Sequence, residues 1–149
     1  MGEIRVKVRL DNATDVRIRD RGKAGKQKIR TAEVEAVVDT GAVMILLPQD
    51  LVEALGLVKT DRAIVTLANE QKIEMDQAGD ILLTVCGRTM TTDCLIGPLG
   101  CEPLIGQLVL ERLDLLPDPL KHALTPRPES PYLPTLKLKG FGMGAPDPS

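Results

Sequence analysis

The chain has 149 residues, 19 Lys and Arg against 21 Asp and Glu, a formal net charge of −2, and one tyrosine and one phenylalanine as its only aromatic residues. That length suits one domain with a real core, and the core must be aliphatic. Near-neutral charge argues against a nucleic-acid or other polyanion binder, the scarcity of aromatics against base-stacking surfaces, and the lack of a long apolar run against a membrane span.

Glu3 to Leu10 alternates, with Ile4, Val6, Val8 and Leu10 on one face, which predicts a half-exposed strand. Asp11 to Asp15 reads as a turn. Arg17 to Arg30 is a basic stretch with Gly22 and Gly25 inside it. Charge runs usually solvate, so the reading is a solvated loop or hairpin, with a docking patch for an acidic partner as the alternative. Thr31 to Val38 alternates again and runs straight into Asp39. Met44 to Leu47 predicts a buried strand. Pro48 opens a short helix, Gln49 to Leu55, which Gly56 closes at C′. Ala63 to Leu67 predicts a strand, Ala68 to Gln71 a turn, and Lys72 to Asp76 a further alternating strand. Asp80 to Cys86 and Arg88 to Ile96 form a hairpin about Gly87, and Gly97 to Pro103 is a loop. Gln107 to Leu113 predicts a short amphipathic helix. Leu115 to Pro119 reads as the end of the globular part, Thr125 to Pro134 as a proline-rich segment, and Leu136 and Leu138 as a short edge strand. Residues 139–149 form a Gly/Pro-rich tail expected to lack fixed structure.

Asp39-Thr40-Gly41-Ala42 is the stretch with most chemistry in it. An acid ends a buried strand, a hydroxyl residue and a glycine follow, and the chain turns back into apolar sequence. A carboxylate there is expected on rigid backbone at the floor of a cleft, partly desolvated, which suits acid–base work. The bland alternative is a strand-to-turn corner whose aspartate only accepts backbone N–H bonds. The cysteines are Cys86, Cys94 and Cys101. Cys86 and Cys94 lie on either strand of the expected hairpin, where a disulfide is conceivable. An odd count with irregular spacing instead points to free thiols in a reducing cytosol. The opening Met1-Gly2-Glu3-Ile4-Arg5 shows no apolar leader, which agrees with a cytoplasmic setting. A lone histidine, His122, leaves no His/Cys set for a metal.

Downstream of the Asp-Thr-Gly motif stands Leu104-Ile105-Gly106, just ahead of the last predicted helix. These two elements, together with the opening Met1 to Val6 and the approach Glu33 to Val38, resemble the retropepsin-like aspartic proteases. The likeness is to their single-domain prokaryotic clan AA members, and it runs from about Gly2 to about Leu138. The resemblance implies a mainly β domain over residues 1–138: a closed β-barrel of the acid-protease type with two short helices. It implies that Asp39 is catalytic, that Thr40, Gly41 and Ala42 form the active-site loop, and that Leu104, Ile105 and Gly106 pack beneath it. It also implies a homodimer with interleaved chain ends, because each chain has a single such motif and the chemistry needs two carboxyls sharing a proton. The implied function is that of an aspartic endopeptidase, a hydrolase acting on peptide or protein substrates without metal or cofactor. A non-catalytic dimerisation or peptide-binding module on the same fold is the alternative. The segment in the place of a substrate-covering flap is Ala68 to Gly79, which lacks the glycine-rich tip and any aromatic residue.

Overall fold

Alternating residues in β1 (Arg5–Asn12) put Val8 and Leu10 inside and leave Lys7 and Arg9 in water, as the period-two pattern requires. The structure, a computed structural model, describes residues 3–22, 28–138 and 140. After β1 come α1 (Ala13–Arg21), β2 (Thr31–Val38), β3 (Leu46–Pro48), α2 (Gln49–Ala54) and β4 (Val58–Thr66). There follow β5 (Lys72–Val85), β6 (Arg88–Gly97), β7 (Leu104–Ile105), α3 (Gln107–Leu113), β8 (Leu115–Asp118) and β9 (Ala123–Pro126). The protein is mainly β. None of its helices is long and apolar enough to cross a membrane, among the described residues.

β1 pairs antiparallel with both β2 and β5. The main sheet, in the order β1-β2-β7-β3-β6-β5-β4, therefore joins back on itself as a ring, with β4 outside it as a free edge on β5. Inside the ring lie Val8, Leu10, Ala36, Ile45, Leu47, Ile81, Leu83 and Ile105, capped by Val109 and Leu113 of α3. Each fully buried Leu or Ile contributes roughly 1.5–3 kcal/mol, so an aliphatic core of this size needs no aromatic residues.

Several expectations need correction. Among the described residues there are three helices, not two. Asp11 to Asp15 is not a free turn: β1 continues to Asn12, which caps α1, its Oδ1 accepting the Asp15 N–H at 3.0 Å. The first part of the basic stretch is thus helical, while Lys23 to Gln27 lie outside the described residues. The expected strand at Ala63 begins earlier, at Val58, and β5 runs unbroken from Lys72 to Val85 where two strands were expected. The globular part does not end at Pro119. β8 and β9 form a second, two-stranded sheet, and Leu115, Leu124 and Ser130 are buried. Leu136 and Leu138 are exposed and in no strand. The tail expected at residues 139–149 lies, apart from Gly140, outside the described residues. All three cysteines are free: Cys94 is buried opposite Ala78, and Cys86 sits in the turn. Burial pushes the Cys94 thiol up to about 12.

The α2 stop follows the sequence. Gly56 adopts φ +64°, its N–H reaches the Glu53 carbonyl at 2.9 Å and the Leu57 N–H reaches Val52 at 3.1 Å, which is a Schellman closure. This end of α2 is tied back to β1, because Asn12 Nδ2 donates to the Leu55 carbonyl at 2.9 Å. Buried Asp15 in turn takes both Nε and Nη2 of Arg30, at 2.8 and 2.9 Å.

Candidate active site

β2 delivers Asp39 to the surface at the point where three strands meet. Its last residues pair parallel with β7, Val37 with Leu104 and Val38 with Ile105, while β7 also pairs antiparallel with β3. The backbone is held on both sides of the motif. Val37 N–H donates to the Pro103 carbonyl at 2.9 Å and Asp39 N–H to the Ile105 carbonyl at 3.0 Å. Ala42 N–H closes the turn on the Asp39 carbonyl at 3.1 Å. Beyond the turn, Gln107 N–H donates to the Ala42 carbonyl at 2.7 Å and Leu108 N–H to that of Val43 at 3.1 Å. The Asp39 loop is thus clamped against the first residues of α3.

Gly106 is required by this arrangement, and Gly41 sits close to the Asp39 carboxylate. A Cβ on Gly106 would stand 2.5 Å from the Ala42 carbonyl oxygen and 2.8 Å from the Val43 carbonyl carbon, both backbone atoms that cannot swing away. Gly41 brings its N–H to Asp39 Oδ1 at 2.9 Å, and a Cβ there would stand 3.3 Å from the same oxygen. The structure therefore brings together every residue of the two motifs: Asp39, Thr40, Gly41 and Ala42 in the loop, Leu104, Ile105 and Gly106 behind it.

One expectation about the site does not hold for the single chain. Asp39, Thr40 and Gly41 are exposed, not desolvated at a cleft floor, because among the described residues no segment passes over them. Val43 and Leu108, beside the loop, are exposed too, at 63% and 51%. Of two concavities, one of about 440 Å³ has no motif residue in its lining, and one of about 920 Å³ reaches the loop region only through Leu108.

The segment expected as a flap is only partly an arm. β4 and the first half of β5 form a hairpin with the tip at residues 67–71, where Leu67 N–H donates to the Gln71 carbonyl at 2.8 Å. Ala78 and Gly79, inside the expected flap range, are buried in the wall of the ring, whereas β4, outside that range, makes up half of the arm. Near the base of the arm, Gln77 Nε2 lies 3.8 Å from Met44 Sδ, which links β5 to the exit of the Asp39 loop.

A second polar cluster was not foreseen. Buried Arg88, from β6, donates through Nη1 to the carbonyls of Leu113 at 2.8 Å and Asp114 at 3.0 Å, and through Nη2 to that of Ser130. Asp114 ends α3 at φ +55° and accepts from Arg127 Nε at 2.7 Å and Thr135 N–H at 3.0 Å. The Arg127 guanidinium first, then the Ser130 hydroxyl and the Thr135 N–H, lower its carboxyl to about 2. The cluster fastens residues 127–135 over the end of α3. The chain matches no protein-family profile and no curated protein.

Proposed function

We propose that the protein is an aspartic endopeptidase of the retropepsin-like type, with the strand ring as its closed barrel and Asp39 as one half of a catalytic pair completed by a second copy. The observation that carries this reading is the Asp39 loop backed by Leu104-Ile105-Gly106, with Gly106 packed so closely that a Cβ would strike the Ala42 carbonyl at 2.5 Å. Such backing fixes a carboxylate in space, and preorganisation of this kind is what acid–base catalysis needs. Exposure of Asp39 beside exposed Val43 and Leu108 supports the need for a partner: a symmetric interface over this face brings two Asp39 carboxyls together and covers both apolar side chains.

In the pair, one carboxylate takes a proton from a water as its oxygen attacks the peptide carbonyl carbon. The protonated carboxyl of the other copy hydrogen-bonds the carbonyl oxygen as it gains negative charge. Collapse of the tetrahedral species returns a proton to the leaving nitrogen and breaks the C–N bond. In this reading Thr40, exposed next to Asp39, hydrogen-bonds the partner loop, and the β4–β5 arm covers an extended substrate. The alternative of a non-catalytic binding module fits a chain that stays single, since no second acid meets Asp39 among the described residues. The test is the solution mass of the purified chain, followed by a peptide-library digest of wild type and Asp39→Asn. A dimer that cleaves, with the variant inactive, supports the proposal. A monomer, or equal cleavage by both proteins, overturns it.

A further inference from the structure

The concavity of about 440 Å³ lies between the stem of the β4–β5 arm and the body of the protein. Its body wall comes from α2 and the end of β6, with Val52 and Ile96 as apolar lining, and its arm wall comes from the strands themselves, with Ile73 and Met75. The size falls within the range of small-ligand sites. The charges at the rim are unequal. Glu53, Glu74 and Asp76 face Lys59 as the only cationic residue of the lining.

Those carboxylates are not equivalent. On the arm wall, Asp76 takes Lys59 Nζ at 3.2 Å and Arg62 Nε at 3.2 Å, and Glu74 takes Arg62 Nη2 at 2.6 Å. On the body wall, Glu53 takes only the Gln49 side-chain amide, at 3.1 Å, among the described residues. An apolar slot therefore ends on one side in a carboxylate with no cationic partner. We propose that this groove binds an aliphatic cation, an apolar shaft with an ammonium or guanidinium head as in a lysine or arginine side chain, with the head on Glu53 and the shaft between Val52, Ile73 and Met75. Because the arm supplies one wall and the body the other, an occupant bridges the two and holds the arm in place. The inference depends on neither cleavage nor dimerisation.

The test is a titration of isotope-labelled full-length protein, followed by amide and methyl NMR shifts. The probes are N-acetyl-lysine methylamide, its norleucine analogue of equal shaft without charge, and a hexapeptide with one central lysine. The lysine probes are expected to shift Val52, Ile73, Met75 and Ile96, with norleucine weaker by about two- to fivefold, as loss of one exposed ion pair implies. Binding by the amide and peptide alike identifies a free amine as a sufficient ligand, and binding by the peptide alone identifies a polypeptide side chain. Glu53→Gln, at an exposed position, is expected to weaken lysine binding by a similar factor with unchanged shifts elsewhere. Equal binding of norleucine, equal binding by the variant, shifts away from the groove or no shifts at all would each overturn the proposal.

Discussion

Asp39 and Asp114 are the same residue in opposite circumstances. Asp114 is 5% exposed, and its two carboxylate oxygens accept from Arg127 and Thr135. Asp39 is exposed, and among the described residues its side chain accepts a single N–H from its own loop, that of Gly41. Both sit on rigid backbone. The difference shows how a structural carboxylate is told from an available one: both oxygens of the first are engaged within the chain, while the second is fixed through its backbone and accepts one N–H from its own loop. Rigidity alone does not separate the two.

The sharpest way to break the comparison is to remove the charge at Asp39. Asp39→Asn is expected to cut peptide hydrolysis at least about a thousandfold while leaving unfolding within about 0.5 kcal/mol of wild type, since it alters an exposed side chain. Initial-rate assays and urea denaturation on one preparation read both quantities. Equal losses in rate and stability would make Asp39 a structural residue like Asp114.

Arg88→Ala attacks the other region. It leaves three buried carbonyls short of a donor and is expected to cost about 3 kcal/mol in urea unfolding. A loss under about 1 kcal/mol would show that water replaces the guanidinium and that the clasp is not closed. Gly106→Ala lies between the two regions in kind, because it affects the Asp39 loop through packing. Its Cβ would press on the Ala42 carbonyl, so about 2 kcal/mol of stability and most of the hydrolysis should be lost together.

The smallest effect is a dependence on acid. Because the folded-state pKa of Asp114 is lowered from 3.8 to about 2, its contribution to stability is complete above pH 3.8 and fades as pH falls toward 2. Wild-type stability should therefore decline across that window, and Asp114→Asn should flatten that part of the profile. Thermal melts at steps of pH measure this, and parallel curves for the two proteins would refute the assignment.

Much of the Asp39 region was legible in the sequence, and little of the Arg88–Asp114 cluster. Thr31 to Val38 alternates cleanly and ends on an acid, so its strand and the position of Asp39 followed from period two alone. Gly106 was readable only as part of a resemblance, since the clash it avoids lies across the chain. Arg88 carries no such signal: a charged residue at the start of a strand is usually solvated, and its acceptors are backbone carbonyls, which have no sequence signature. α1 escaped because Arg17, Arg19 and Arg21 spoil any apolar stripe, although Asn12 three residues ahead of Asp15 was a visible cap signal. β8 and β9 escaped because Pro117 and Pro126 argue against strands, yet a two-stranded ribbon is all edge and tolerates them.

The parallel pairing of β2 with β7 has a consequence for the order of events during synthesis. Four strands, β3 to β6, separate Val38 from its neighbour Ile105 along the chain. A growing polypeptide therefore has its Asp-Thr-Gly segment in solution long before the backing that fixes it has left the ribosome. Contacts of such long range form late, after hairpins such as β5–β6 that close locally. The Asp39 loop thus acquires its geometry only after Ile105 has emerged, a delay that keeps a half-made chain from presenting an ordered carboxylate to its neighbours.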